Sequence, residues 1–237
     1  MHRPTPQLVI ALDSRDTEWT LRLADSLRGV VPWLKVGLEL FVHAGPDVLA
    51  RLKDKGFKVF LDLKMYDIPN TVRGCVLSAV TAGADMLTVH TQGGQRMARA
   101  AVEAAAEAAP ASGSPLVLGV TVLTSMAPGE LPGYTGELDA IATELALGAH
   151  AWGLHGVVCS GHEVAAIKAR CGTDFLCLTP GIRPATGEAD DQRRVMTPAQ
   201  AVAAGSNYLV VGRPVTQASD PVGVARAITE EIQRAAP

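Results

Sequence analysis

The chain has 237 residues, 48% of them hydrophobic and 19% charged, and carries a formal net charge of −3. That balance excludes a disordered segment and suits a well-buried core, and α/β barrels commonly occupy about 250 residues as one unit. Lysines and arginines are scattered, with Arg193-Arg194 the tightest cluster, so the chain lacks the basic footprint of a nucleic-acid binder.

The first residues, Met1-His2-Arg3-Pro4-Thr5-Pro6, form no apolar signal core, and no stretch approaches the roughly 20 apolar residues of a membrane span. A cytoplasmic protein is expected. Cys75, Cys159, Cys171 and Cys177 have neither metal-ligand nor C-x-x-C spacing and are expected to be reduced and mostly buried.

In chain order, β-rich runs predict strands over Leu8 to Leu12, Trp33 to Gly37, Lys58 to Leu63, Met86 to His90, Leu116 to Thr121, Gly156 to Ser160, Phe175 to Thr179 and Tyr208 to Gly212. Amphipathic or alanine-rich stretches between them include Thr17 to Leu27, Arg96 to Ala109, Leu138 to Ala149 and Thr197 to Ala204. Strand and helix alternating through eight units imply a parallel (β/α)₈ TIM barrel forming a single domain over residues 1–237. An open doubly wound sheet is the alternative, but no G-x-G-x-x-G follows the first strand.

A barrel demands reactive groups at the carboxyl ends of its strands. Asp13 follows strand one, Lys35 lies on strand two, Asp62 and Lys64 close strand three, and His90 closes strand four. Thr124-Ser125 follow strand five, Pro180-Gly181-Ile182-Arg183 follow strand seven, and Gly212-Arg213 end strand eight. Strand six offers Cys159-Ser160-Gly161, with no assigned role.

The densest group is Asp62-Leu63-Lys64-Met65-Tyr66-Asp67-Ile68-Pro69-Asn70-Thr71. A period of two sets Asp62 and Lys64 on one face, Asp67 lies in the turn beyond, and Pro69 can begin a helix because its missing N–H costs nothing there. With Lys35 the chain offers two cations and two anions to one pocket. Gly212-Arg213 suits a phosphate, since glycine lets the backbone approach an anion and arginine supplies a forked charged donor. The polar segment Ala185 to Arg194 reads equally as a mobile lid or as a disordered insertion. Asp13 serves equally well as a ligand contact or as the cap of a helix beginning near Asp16. His90 reads as a satisfied structural histidine.

The run from Asp62 to Thr71 resembles the signature of the orotidine 5'-monophosphate decarboxylase family, and further matches extend from Asp13 to Arg213. The resemblance implies cofactor-free and metal-free conversion of orotidine 5'-monophosphate to UMP, with Lys64, Asp62, Lys35 and Asp67 as the catalytic charged network. It assigns Asp13 to the ribose hydroxyls, Thr124 and Ser125 to the nucleotide, and Arg183, Gln192, Gly212 and Arg213 to ligand or phosphate contacts. Ile68 and Thr71 join the substrate-binding set. It also implies a homodimer with shared active sites, in which Asp67 and Thr71 enter the partner's pocket. Tyr66 stands where many relatives have histidine, and Thr91 where alanine is common.

Two competing readings follow. A Mg²⁺-dependent sugar-phosphate decarboxylase or aldolase of the same barrel suite would carry a glutamate on strand two, where this chain has Lys35. A non-catalytic phosphate-binding barrel would not need the intact four-residue network.

Overall fold

The computed structural model describes residues 5–111, 113–183 and 195–236. Eight parallel strands close into a barrel in sequence order, and β1 (Gln7–Ala11) pairs with β8 (Tyr208–Val211) to shut the ring. Between these come β2 (Trp33–Gly37), β3 (Lys58–Met65), β4 (Met86–His90), β5 (Leu116–Val120), β6 (Gly156–Val158) and β7 (Leu176–Thr179).

The helices follow from local signals. Asp16 caps α1 (Thr17–Ser26), its carboxylate accepting from the Trp19 N–H, so Asp13 is not the cap. Beyond β2 come α2 (Leu38–Ala44) and α3 (Asp47–Asp54), and beyond β3 comes α4 (Pro69–Thr81), with proline in its first turn. A short 3₁₀ turn (Thr91–Gly93) leads into α5 (Gly94–Glu107), followed after β5 by α6 (Leu138–Ala151) and after β6 by α7 (Val164–Cys171). Thr197 and Gln200 form a reciprocal capping box on α8 (Pro198–Ala204). The last helices are α9 (Arg213–Thr216) and α10 (Pro221–Ala235).

Alternation along the strands sorts residues into two cores. Outward positions such as Leu8, Ile10, Leu34, Val36, Val59 and Leu61 join the layer beneath the helices. Inward positions such as Val9, Ala11, Trp33, Phe60, Leu118, Leu178 and Val210 fill the barrel. The same inward rows continue upward into charge: two residues beyond Trp33 is Lys35, and two beyond Phe60 is Asp62. An apolar plug therefore forms the floor, and ionised side chains stand at the carboxyl-terminal mouth.

Two strand ends depart from expectation by two residues, and the others by one at most. β3 runs to Met65 because its ladder with β4 resumes at Met65 opposite Val89, after a register shift between Leu61 and Met65. β6 stops at Val158 because the Ser160 N–H turns to the Glu163 carboxylate. Cys159, Cys171 and Cys177 are buried and Cys75 is exposed, all four as free thiols.

Candidate active site

The mouth of the barrel opens into a cavity of about 910 Å³. Asp13, Lys35, Asp62, Lys64, Thr124, Ser125, Arg183, Gly212 and Arg213 all line it, so nine of the sequence-derived residues converge from six different strand ends. Phe60, Val120, Val158, Leu178 and Val210 form its apolar floor.

Along one wall the charges alternate. Lys35 Nζ lies 2.8 Å from Asp13 Oδ1 and 4.0 Å from Asp62 Oδ2, and the same Asp62 oxygen lies 2.8 Å from Lys64 Nζ. The side chains of Lys35 and Asp62 are only 9% and 13% exposed, so each ion's lost hydration must be offset by its neighbours. Burial alone would raise the Asp62 carboxyl. The ammonium groups of Lys35 and Lys64, with hydrogen bonds from Lys64 and Thr88, outweigh it and hold Asp62 below the usual carboxylate range.

Gly37 makes the row possible. A Cβ built there would lie 2.5 Å from Asp13 Oδ1 and 2.7 Å from Lys35 Nζ, so any side chain would enter the space where that pair meets.

Lys64 itself has φ +51°, the single non-glycine residue with positive φ among those described. That left-handed conformation costs an L-residue about 1–2 kcal/mol. Asp62 and Lys64 do share the pocket as a period of two implies, but the chain reaches that outcome through a local twist instead of a regular strand.

The opposite wall is built from turns. Thr124 and Ser125 sit in a turn closed by the Met126 N–H donating to the Leu123 carbonyl. Gly212 leads into α9, whose first residue is Arg213. The Arg183 N–H donates to the Met196 carbonyl and the Met196 N–H to that of Gly181, pinning both flanks of the segment 184–194 beside the cavity. Gln192 and the expected lid from Ala185 to Arg194 lie outside the described residues.

Asp67, Ile68 and Thr71 do not line this cavity. Asp67 accepts a hydrogen bond from the Ile68 N–H at an exposed turn. Thr71 instead borders an apolar cleft of about 380 Å³ with Phe41, Leu63, Met65 and Cys75. On α2 and in the turn after β3, Val42 is 80% exposed and Ile68 66% exposed.

His90 differs from expectation. Its Nδ1 is buried without a hydrogen-bond partner among the described residues, so it is not a satisfied structural histidine. Its ring lies 5.6 Å from that of Tyr66. Burial, and then the Lys64 ammonium, lower its pKa against the opposing pull of Asp62, which keeps the imidazole neutral at neutral pH.

Sequence reasoning missed Ser14 after β1, Trp19 on α1, Glu39 on α2, Thr216 at the end of α9 and Gln217 after it, all of which line the cavity. It also missed Thr88, whose hydroxyl touches the charged row from β4. A lone threonine in an apolar strand carries the same signal as ordinary β propensity.

Known proteins resemble this chain over nearly its whole length. A protein of Nitratidesulfovibrio vulgaris named orotidine 5'-phosphate decarboxylase is 62% identical, covering 95% of this chain and 97% of its own. One of the same name from Maridesulfovibrio salexigens is 55% identical, covering 95% and 98%. The crystal structure of orotidine 5'-phosphate decarboxylase from Lactobacillus acidophilus superposes with a TM-score of 0.86 at 38% identity, covering 96% of this chain and 99% of that one. Residues 6–228 match the family described as orotidine 5'-phosphate decarboxylase / HUMPS. With a match spanning all eight strands and every residue of the charged wall, the chain belongs to that family.

Proposed function

We propose that this chain, acting as one domain, catalyses the cofactor-free decarboxylation of orotidine 5'-monophosphate to UMP and CO₂, the last step of de novo pyrimidine biosynthesis. The observation that carries this reading is the alternating row Asp13, Lys35, Asp62, Lys64 above an apolar floor. In the reaction the bond from C6 to the carboxylate breaks, CO₂ leaves, and the electron pair stays on C6. The Lys64 ammonium stabilises that pair and then gives it a proton, and the neutral amine regains a proton from solvent.

Asp62 faces the departing carboxylate. Two like charges about 4 Å apart repel by about 4 kcal/mol at an effective dielectric near 20, whereas enzymes commonly lower barriers by about 8–23 kcal/mol. Most of the acceleration therefore comes from preorganised charge around Lys64. The remainder comes from remote binding, with Arg213, Gly212, Arg183 and Gln192 on the phosphate side, Thr124 and Ser125 on the base, and Asp13 on the ribose.

Lys35 also argues against the magnesium-dependent branch of the same suite. Its ammonium stands between Asp13 and Asp62, where a divalent cation would be repelled, and among the described residues no three His, Cys, Asp or Glu side chains are grouped to hold a metal.

The functional unit in this reading is a cytoplasmic homodimer. Asp67 and Thr71 stand outside their own cavity, and Asp67 is flanked in its turn by the exposed side chains of Tyr66 and Ile68, which suits a turn that crosses into a second copy. No helix among the described residues is long and apolar enough to cross a membrane.

An ultraviolet assay with orotidine 5'-monophosphate, run with and without EDTA, tests the activity. Turnover unaffected by the chelator is expected, and activity abolished by EDTA and restored by Mg²⁺ would overturn the metal-free reading. For the shared site, Lys64→Ala and Asp67→Ala homodimers should each be nearly inactive. Their hybrids should regain one good site per dimer, and verified hybrids without recovery would assign Asp67 to its own subunit.

A further inference from the structure

Thr88 lies on β4, fully buried, facing the twisted end of β3. Its Oγ1 is 2.9 Å from the Lys64 backbone nitrogen and 2.9 Å from Asp62 Oδ1. The directions of both bonds follow from chemistry. A backbone N–H can only donate, so Thr88 accepts from Lys64. An ionised carboxylate can only accept, so Thr88 donates to Asp62. One hydroxyl thus relays a chain from the Lys64 N–H through Thr88 to Asp62, while the other Asp62 oxygen faces both ammonium groups.

We infer that Thr88 is a positioning residue for the decarboxylation: through this single hydroxyl it holds Lys64 in its left-handed conformation and fixes the Asp62 carboxylate against it. This rests on the assignment of Lys64 and Asp62 to the chemistry. Lys64 is the one non-glycine with positive φ among the described residues, and it falls within the stretch where β3 and β4 lose register between Leu61 and Met65. No β3–β4 residue pairing is made there, and Thr88 supplies the bond to the Lys64 N–H that the interrupted ladder does not. Without the hydroxyl, the N–H would lose this partner and Asp62 would lose a donor. The Lys64 ammonium would then sample positions away from the reacting carbon, where a displacement of about 1 Å can cost on the order of 10²-fold in rate.

Thr88→Val keeps the shape and removes the hydroxyl, and Thr88→Ser keeps the hydroxyl and removes the methyl. Thr88→Val should lower kcat on orotidine 5'-monophosphate by about 10- to 100-fold while leaving KM within about twofold. The acid limb of kcat/KM should move to higher pH, because Asp62 loses one of the donors that hold it ionised. The substrate's own ionisations are common to all variants and cancel in this comparison. Thr88→Ser should recover most of kcat and return the acid limb to the wild-type position. If the valine packs badly, Thr88→Ala leaves space in place of the side chain and must shift the acid limb in the same direction. Wild-type kcat and an unmoved acid limb in Thr88→Val, or equal damage in the valine and serine variants, would overturn the assignment. Lys64→Ala, measured alongside, separates the two levels. If it stays active, the reading of the site itself fails. If it is inactive while Thr88→Val is unimpaired, only the role of Thr88 falls.

Discussion

On the β1 to β4 side of the barrel mouth, charged groups stand on strands or just beyond them and are already bonded to one another: Asp13 to Lys35, and Asp62 to Lys64 and Thr88. On the β5, β7 and β8 side the polar groups come from turns and a helix start, Thr124 and Ser125 after β5, Arg183 after β7 and Arg213 at the head of α9. The first wall is a rigid electrostatic device that needs no ligand to assemble. The second is carried on turns and a helix start. Reaction chemistry demands the first kind of precision, since a group held on a regular element keeps its geometry better than one on a loop. In the proposed reading, the phosphate and base contacts fall on the second kind.

The sharpest way to break this contrast is Lys64→Ala. Loss of both the stabilising ammonium and the proton donor should reduce kcat by about 10⁴-fold or more, with nucleotide affinity largely kept. A raised KM with spared kcat would mean that Lys64 only binds.

Gly37→Ala is the next test. The added methyl would meet the mobile ends of Asp13 and Lys35 and not rigid backbone, and Gly37 has φ −91°, open to any residue. The chain can yield by pushing those side chains apart. Stability should therefore change by less than about 1 kcal/mol while activity falls up to about 10²-fold. A large drop in melting temperature with normal specific activity would show Gly37 to be structural.

The smallest effect concerns acid. Asp62 is held below its usual pKa in the folded protein, so its ionised form contributes stability that is fully present above about pH 4. That contribution disappears as pH falls through the folded value. Asp62→Asn should flatten this part of the acid limb in urea unfolding curves taken between about pH 5 and pH 2.

The rigid wall was also the more legible in sequence. Alternation set Asp62 and Lys64 on one face, Lys35 stood on a comparable apolar strand, and the strand count led to the closed barrel. What the pattern could not carry was contact between strands far apart in sequence. Thr88 reaches Asp62 across 26 positions and looks like any strand threonine. Lys64's left-handed φ is equally silent, because a lysine gives none of the warning that a glycine would. His90 read as satisfied because most buried polar atoms are, yet its Nδ1 has no partner among the described residues. Asp67 and Thr71 look like part of the same cluster in sequence and lie outside the cavity in the fold, since the turn after β3 carries them away from it.

The central claim is that chemistry and phosphate recognition occupy separate walls. Measuring kcat/KM of wild type, Lys64→Ala and Arg213→Ala on orotidine 5'-monophosphate and on unphosphorylated orotidine tests it most directly. Lys64→Ala should depress both substrates together. Arg213→Ala should cost about 10- to 100-fold on the phosphorylated substrate, the worth of a charged hydrogen bond, and leave orotidine nearly unchanged. Equal losses for Arg213→Ala on both substrates would contradict the separation.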